Sequence, residues 1–108
     1  MPRKSYLVWL DERTYVEVEF VTVKGRIVSF VVRLMRIEGD QIFGVVRYDT
    51  AHGMPHRDIV DRNGRLIRKE WLTNKTFEQA LSYAKDDLQT NSQAYIDRFD
   101  SGSDTSAA

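Results

Sequence analysis

Both histidines of the chain, His52 and His56, fall in one stretch, Arg47-Tyr48-Asp49-Thr50-Ala51-His52-Gly53-Met54-Pro55-His56-Arg57-Asp58, beside two arginines and two aspartates. Such a set can move protons. An imidazole, with an ordinary pKa of about 6.5, can take the 2′-hydroxyl proton of RNA, a second acid can protonate the leaving oxygen, and arginine can balance charge on the phosphorane. This reading gives His52 and His56 proton transfer, Arg47 and Arg57 phosphate charge, and Asp49 or Asp58 the orienting of a ring, in a metal-independent ribonuclease with no cofactor. The same histidines with Asp49 or Asp58 are also a ligand mixture for zinc or another divalent ion, although spacing alone does not specify one. A structural reading stands beside both: these polar groups can simply tie down a tight loop.

Gly53 and Pro55 argue against a helix that would put His52 and His56 on one face, so the stretch reads as strand, loop, strand. Extended backbone then places Arg47 and Asp49 on one side with Tyr48 opposite, and His56 and Asp58 on one side with Arg57 opposite. Downstream, Arg57, Arg62, Arg65, Arg68 and Lys69 make a basic hairpin that can track a nucleic-acid backbone, or equally protect an edge strand. Trp9, Trp71, Tyr6 and Tyr15 have rings that could stack bases, although aromatic residues in strands ordinarily fill a core.

The elements that must position these residues read mostly as strands. Tyr6 to Leu10 is a short apolar run. Tyr15 to Lys24 alternates, with Val16, Val18 and Phe20 on the buried side, and Arg26 to Ile37 alternates with Val28, Phe30, Val32 and Leu34. Gln41 to Tyr48 follows the Glu38-Gly39-Asp40 turn and leads into the histidine loop, and His56 to Asp61 resumes the extended pattern. Asn63-Gly64 is the strongest hairpin signal and predicts a type I′ turn, with Arg65 to Leu72 returning. Thr76-Phe77-Glu78-Gln79 reads as a capping box. From there one apolar stripe, Phe77, Ala80, Leu81, Ala84, Leu88, Tyr95 and Phe99, runs to about residue 99, weakest at Asn91 and Ser92. The expected fold is therefore α+β: an antiparallel sheet of five or six strands with one C-terminal helix packed on it. Residues 1–99 form a single domain and 100–108 a flexible tail. Long sheet edges make a homodimer plausible.

Composition fits this outline. The 108 residues include no cysteine, which removes disulfides and thiolate sites, and cytoplasm is the default expectation. No apolar run approaches a membrane span, and the N-terminal run is too short for a signal peptide. Residues 1–75 hold 14 Lys+Arg against 10 Asp+Glu, net +4, and residues 76–108 hold 2 against 6, net −4. This asymmetry suits a surface that meets phosphates and an acidic element that meets a basic partner; the alternative is that the two halves neutralise each other within the fold. No phosphate-cradling glycine loop, nucleophile elbow or dinucleotide fingerprint is present, which argues against nucleotide-cofactor enzymes.

Arg47-Tyr48-Asp49 followed by His52 and His56 resembles the TumE-like group of small prokaryotic toxins and related uncharacterised families. The resemblance covers the middle third of the chain. It implies a strand-rich toxin component of a toxin-antitoxin pair, acting on RNA and neutralised by an antitoxin protein. The alternative is a non-catalytic protein-binding or dimerisation module.

Overall fold

A computed structural model describes residues 2–101. Six strands, β1 (Arg3–Asp11), β2 (Thr14–Val23), β3 (Arg26–Glu38), β4 (Gln41–Asp49), β5 (His56–Val60) and β6 (Leu66–Trp71), precede two helices, α1 (Phe77–Thr90) and α2 (Ser92–Ser101). The strands form one sheet in the order β1-β2-β3-β4-β5-β6, each antiparallel to its neighbours. Every connection is thus to the adjacent strand, the simplest solution for short turns. The expected α+β class with an antiparallel sheet stands, at six strands, but the single helix does not: there are two, and the second takes in Asp100 and Ser101 of the expected tail, whose remainder, 102–108, lies outside the described residues.

The helical break lies at the expected weak point. The Asn91 N–H closes the last bond of α1, to the Asp87 carbonyl at 2.8 Å, and its side-chain amide donates to Asp87 Oδ1 at 2.7 Å. At φ −106° and ψ 15° the Asn91 backbone leaves helical geometry, and asparagine propagates helix poorly. At the other end, the Thr76 hydroxyl accepts from the Gln79 N–H and the Gln79 side chain accepts from the Thr76 N–H, the capping box read from the sequence.

Both helices lie on one face of the sheet. There Val16, Val18, Phe30, Val32, Leu34, Tyr48 and Ile59 pack against Ala80, Leu81, Ala84, Leu88, Ile96 and Phe99. Two bulges correct the simple alternation. Opposite Val21 and Thr22, β3 carries an extra residue, so Ile27 rather than Val28 packs toward the core and Val28 is exposed. In β4 the extra residue is Val45, between Gly44, opposite Met35, and Val46, opposite Leu34. An extra residue re-aims everything after it. Phe43 and Tyr48, five apart, therefore both face the helices, where Phe43 meets Phe99 and Tyr48 meets Tyr83.

The turns also depart from expectation. The type I′ geometry, which needs positive φ at both central residues, occurs at Lys24 (φ 52°) and Gly25 (φ 78°). At Asn63-Gly64 only Gly64 is positive, at 80°. Asp61 makes the difference: its Oδ1 accepts from the Asn63 and Arg65 N–H groups, and its carbonyl accepts from the Gly64 N–H. The result is a longer turn followed by one left-handed residue, a common three-residue hairpin loop.

Candidate functional site on the open sheet face

The second face of the sheet carries no helix among the described residues. Register places Arg33 opposite Arg47, Arg47 opposite Asp58 and Asp58 opposite Lys69, while Asp49 lies opposite His56 and His56 opposite Trp71. Two adjacent rows of side chains thus bring Arg47, Asp49, His56 and Asp58 together. The connecting loop is anchored on both sides. Thr50 Oγ1 accepts from the Phe30 N–H at 3.1 Å, and the Leu72 N–H donates to the Pro55 carbonyl at 2.9 Å.

His56 is the hub of the cluster and is only 2% exposed. Its Nδ1 lies 3.1 Å from the Met54 carbonyl oxygen. Nε2 lies 3.0 Å from Asp49 Oδ1 and 3.7 Å from Asp58 Oδ2. The ring sits 5.0 Å from that of Trp71, which shields it from water. Asp49 uses its other oxygen, Oδ2, to hold Arg47 Nε at 2.6 Å, and its Oδ1 also accepts from the Ala51 N–H at 2.9 Å. Asp58 Oδ1 holds Lys69 Nζ at 2.8 Å. The outcome is a chain of alternating groups, Arg47, Asp49, His56, Asp58, Lys69, whose middle is buried and whose ends reach solvent.

Two hollows flank this chain, and Arg47 lines both. One, about 330 Å³, is bounded by Arg3, Glu19, Val31, Arg47, Asp49 and Thr50. The other, about 320 Å³, is bounded by Arg33, Gly44, Arg47, Asp58, Val60 and Gly64.

The other expected residues are placed elsewhere. His52 lies in a single 3-10 turn, Ala51–Gly53, exposed and with φ 68°. No hydrogen bond or ion pair joins it to His56, Asp49 or Asp58 among the described residues. Nor do the basic residues of the hairpin gather into one surface. Arg57 points to the helix side, where it meets Tyr95, Glu70 and Asp87. Arg62 binds Glu38 and lies over the Phe43 and Phe99 rings, and Arg68 pairs with Glu70. Arg65 makes no side-chain ion pair among the described residues, and only Lys69 joins the open-face cluster. Three of the rings expected in the core are exposed: Tyr6, Trp9 and Trp71.

Sequence reasoning passed over a second polar cluster on the helix side. The hydroxyls of Tyr48 and Tyr95 each donate to Asp87 Oδ2 at 2.6 Å, and Arg57 Nη1 stands 3.7 Å from the same oxygen. Burial, helped by the bond to Asp87, pushes the Tyr48 hydroxyl far up and that of Tyr95 up to about 12. Burial by itself raises the Asp87 carboxyl, but hydrogen bonds from Tyr48, Tyr95 and Asn91 and the charge of Arg57 bring it below the ordinary carboxylate value. One signal was available: Asp87 interrupts the apolar stripe beside Ala84 and Leu88, and an acid there needs partners.

Among known proteins, the family model described as a domain of unknown function, DUF7718, matches residues 1–105. No curated protein and no solved structure matches the chain.

Proposed function

The chain belongs to the DUF7718 family of unknown function, and we propose that it binds RNA through the open face of its sheet, with Arg47 at the centre of the contact. The observation that carries this reading is the setting of Arg47. Its guanidinium is half exposed, lines both hollows and is oriented by Asp49, which His56 holds in turn. An arginine fixed in this way has lost part of its rotamer freedom before a phosphate arrives, and its remaining N–H groups can meet phosphate oxygens. Arg3, paired with Glu19, in one hollow and Arg33, paired with Glu17, in the other keep further N–H groups for phosphate. The exposed rings of Trp9 and Trp71 offer stacking surfaces for unpaired bases, which favours single-stranded over duplex RNA. The resemblance to the TumE-like group supports a place as the toxin member of a pair.

The proposal is binding rather than cleavage, because both ring nitrogens of His56 face groups inside the protein and His52 stands apart. Anisotropy of a short labelled single-stranded RNA tests it. Saturable binding that weakens with salt, at least tenfold weaker in Arg47→Ala and unchanged in His52→Ala, is the expected result. Absence of binding, or binding indifferent to Arg47, would overturn it. Cutting of the RNA without metal that disappears in a folded His56→Ala variant would restore the ribonuclease reading.

The non-catalytic interaction module is favoured by a separate feature. Leu7 and Trp9 are exposed, and strand alternation sets them on the open face at the β1 edge. An apolar patch of that kind suits a protein partner or a second copy. Light scattering on the purified chain distinguishes a dimer from a monomer, and Trp9→Glu should dissociate the dimer if this patch forms it.

A further inference from the structure

The spacing of the sequence paired His52 with His56, but the fold replaces His52 by a second carboxylate. Asp49, His56 and Asp58 each present one donor atom, and all three atoms lie within 4.8 Å of one another. We propose that these three residues bind one first-row divalent transition-metal ion, of the zinc or manganese class. The site adjoins the proposed RNA contact through Arg47 but does not rest on it.

The distances suit such an ion. His56 Nε2 is 3.0 Å from Asp49 Oδ1 and 3.7 Å from Asp58 Oδ2. Ligands at about 2.0–2.2 Å from a common ion stand roughly 3–3.4 Å from one another, so the two separations from His56 are close to those an ion requires. The hydrogen bonding suits it too. A carbonyl oxygen can only accept, so the contact with Met54 places a hydrogen on Nδ1 and turns Nε2 toward the carboxylates, the nitrogen that would offer its lone pair to an ion. It faces two carboxylate oxygens, which are acceptors as well. A cation between them is a partner that all three can share, Asp49 Oδ1 having otherwise the Ala51 N–H. Histidine ligands characteristically donate their second ring N–H to a carbonyl or carboxylate, the arrangement seen at Met54.

The outer oxygens are already occupied in the manner of a supporting shell. Arg47 holds Asp49 Oδ2 and Lys69 holds Asp58 Oδ1, so each carboxylate turns its remaining oxygen toward His56. These two cations do not make an inner cation redundant. The side chains of Arg47 and Lys69 are 50% and 32% exposed, so solvent screens their charges, whereas those of His56 and Asp49 are 3% and 6% exposed. Nitrogen with two carboxylate oxygens is the donor mixture of zinc and manganese sites, and three protein ligands leave further positions for water.

The competing occupant is a second ring proton on Nε2, and the test separates the two. The purified chain is stripped with a chelator and titrated calorimetrically with Zn²⁺ and, separately, Mn²⁺. Saturable uptake of one ion per chain by at least one of the two metals is expected, with affinity roughly tenfold or more lower in Asp58→Asn, a half-buried position at which the variant should still fold. His52→Ala should bind as the parent does. In ¹⁵N spectra of the imidazoles, the metal should move His56 Nε2 and leave Nδ1 protonated. No saturable binding of either metal, binding unaffected by Asp58→Asn, or binding lost with His52 would each overturn the site. Loss of RNA binding in Arg47→Ala with saturable metal uptake retained, at an affinity lowered by the loss of the Asp49 Oδ2 partner, would uphold both readings.

Discussion

One imidazole joins two strands and a loop. His56 bonds the Met54 carbonyl on one side and faces Asp49 and Asp58 on the other, so its removal would leave two largely buried carboxylates facing each other across an empty space. His56→Ala should cost about 2–4 kcal/mol in urea unfolding, as expected when one partner of a buried polar group is deleted. His52 should behave in the opposite way. Its φ of 68° lies in the left-handed region, which a side chain adopts at a cost and glycine does not, so His52→Gly should raise stability by up to about 1 kcal/mol in the same assay. The two histidines looked equivalent in the sequence because they share one short polar stretch. Their difference comes from backbone conformation: the 3-10 turn swings His52 outward, while β5 pairing brings His56 opposite Asp49.

The helices are fastened to the sheet by Asp87, which receives the hydroxyls of Tyr48 from β4 and Tyr95 from α2. Asp87→Ala should therefore loosen both helices and cost about 2–4 kcal/mol, against about 1 kcal/mol for Tyr95→Phe, which removes one bond and keeps the ring. The pH dependence has a sign at each end. The Asp87 carboxyl is lowered in the folded chain, so its contribution is present above the ordinary carboxylate range and is lost as pH falls through the folded value. Tyr95 is raised to about 12, so its contribution is complete below about pH 10 and is lost as pH rises toward 12. Denaturation monitored between pH 9 and 12 should show that loss, and Tyr95→Phe should flatten it; an unchanged alkaline profile would argue against the bond. At this scale much was legible. The capping box, the apolar stripe and the alternation of β2 are local patterns with local causes. The bulges at Val28 and Val45 and the extra reach of Asp61 were not, because they arise from the register between strands rather than from either strand alone.

For the whole molecule, the sheet has one dry face and one wet face. The acidic segment packs on the dry side, and its charges meet basic residues of the strands and of the β5–β6 turn there: Glu78 with Arg26, Asp87 with Arg57, and Asp100 with Arg36 and Arg62. Of the two readings of the charge asymmetry, internal neutralisation accounts for these pairs; the cations of the open face are paired as well, Arg33 with Glu17, Arg47 with Asp49 and Lys69 with Asp58, but stay partly exposed to a ligand. Among the described residues no helix is long and apolar enough to cross a membrane. If Arg47 meets one phosphate, the slope of log affinity against log salt for single-stranded RNA should fall by about 0.7 in Arg47→Ala, whatever the RNA sequence. An unchanged slope would place the phosphate contacts elsewhere.

The extra residue in β4 has a consequence for how this chain can change by insertion and deletion. Phe43 and Tyr48, five apart, face the helices together because the bulge takes Val45 out of the ladder and leaves the paired residues on either side in regular alternation. Removing the Val45 codon would set Gly44 opposite Met35 and Val46 opposite Leu34 in unbroken register, so every face of the strand would be kept. Inserting one residue after Val46 would instead drive Arg47 and Asp49 into the helix interface and Tyr48 out to water, the one-residue slip that exchanges the two faces of a strand. A scan of single deletions and insertions along β4 should therefore find the chain tolerant of losing Val45 and intolerant of an insertion after Val46, with both read out as soluble, cooperatively melting protein.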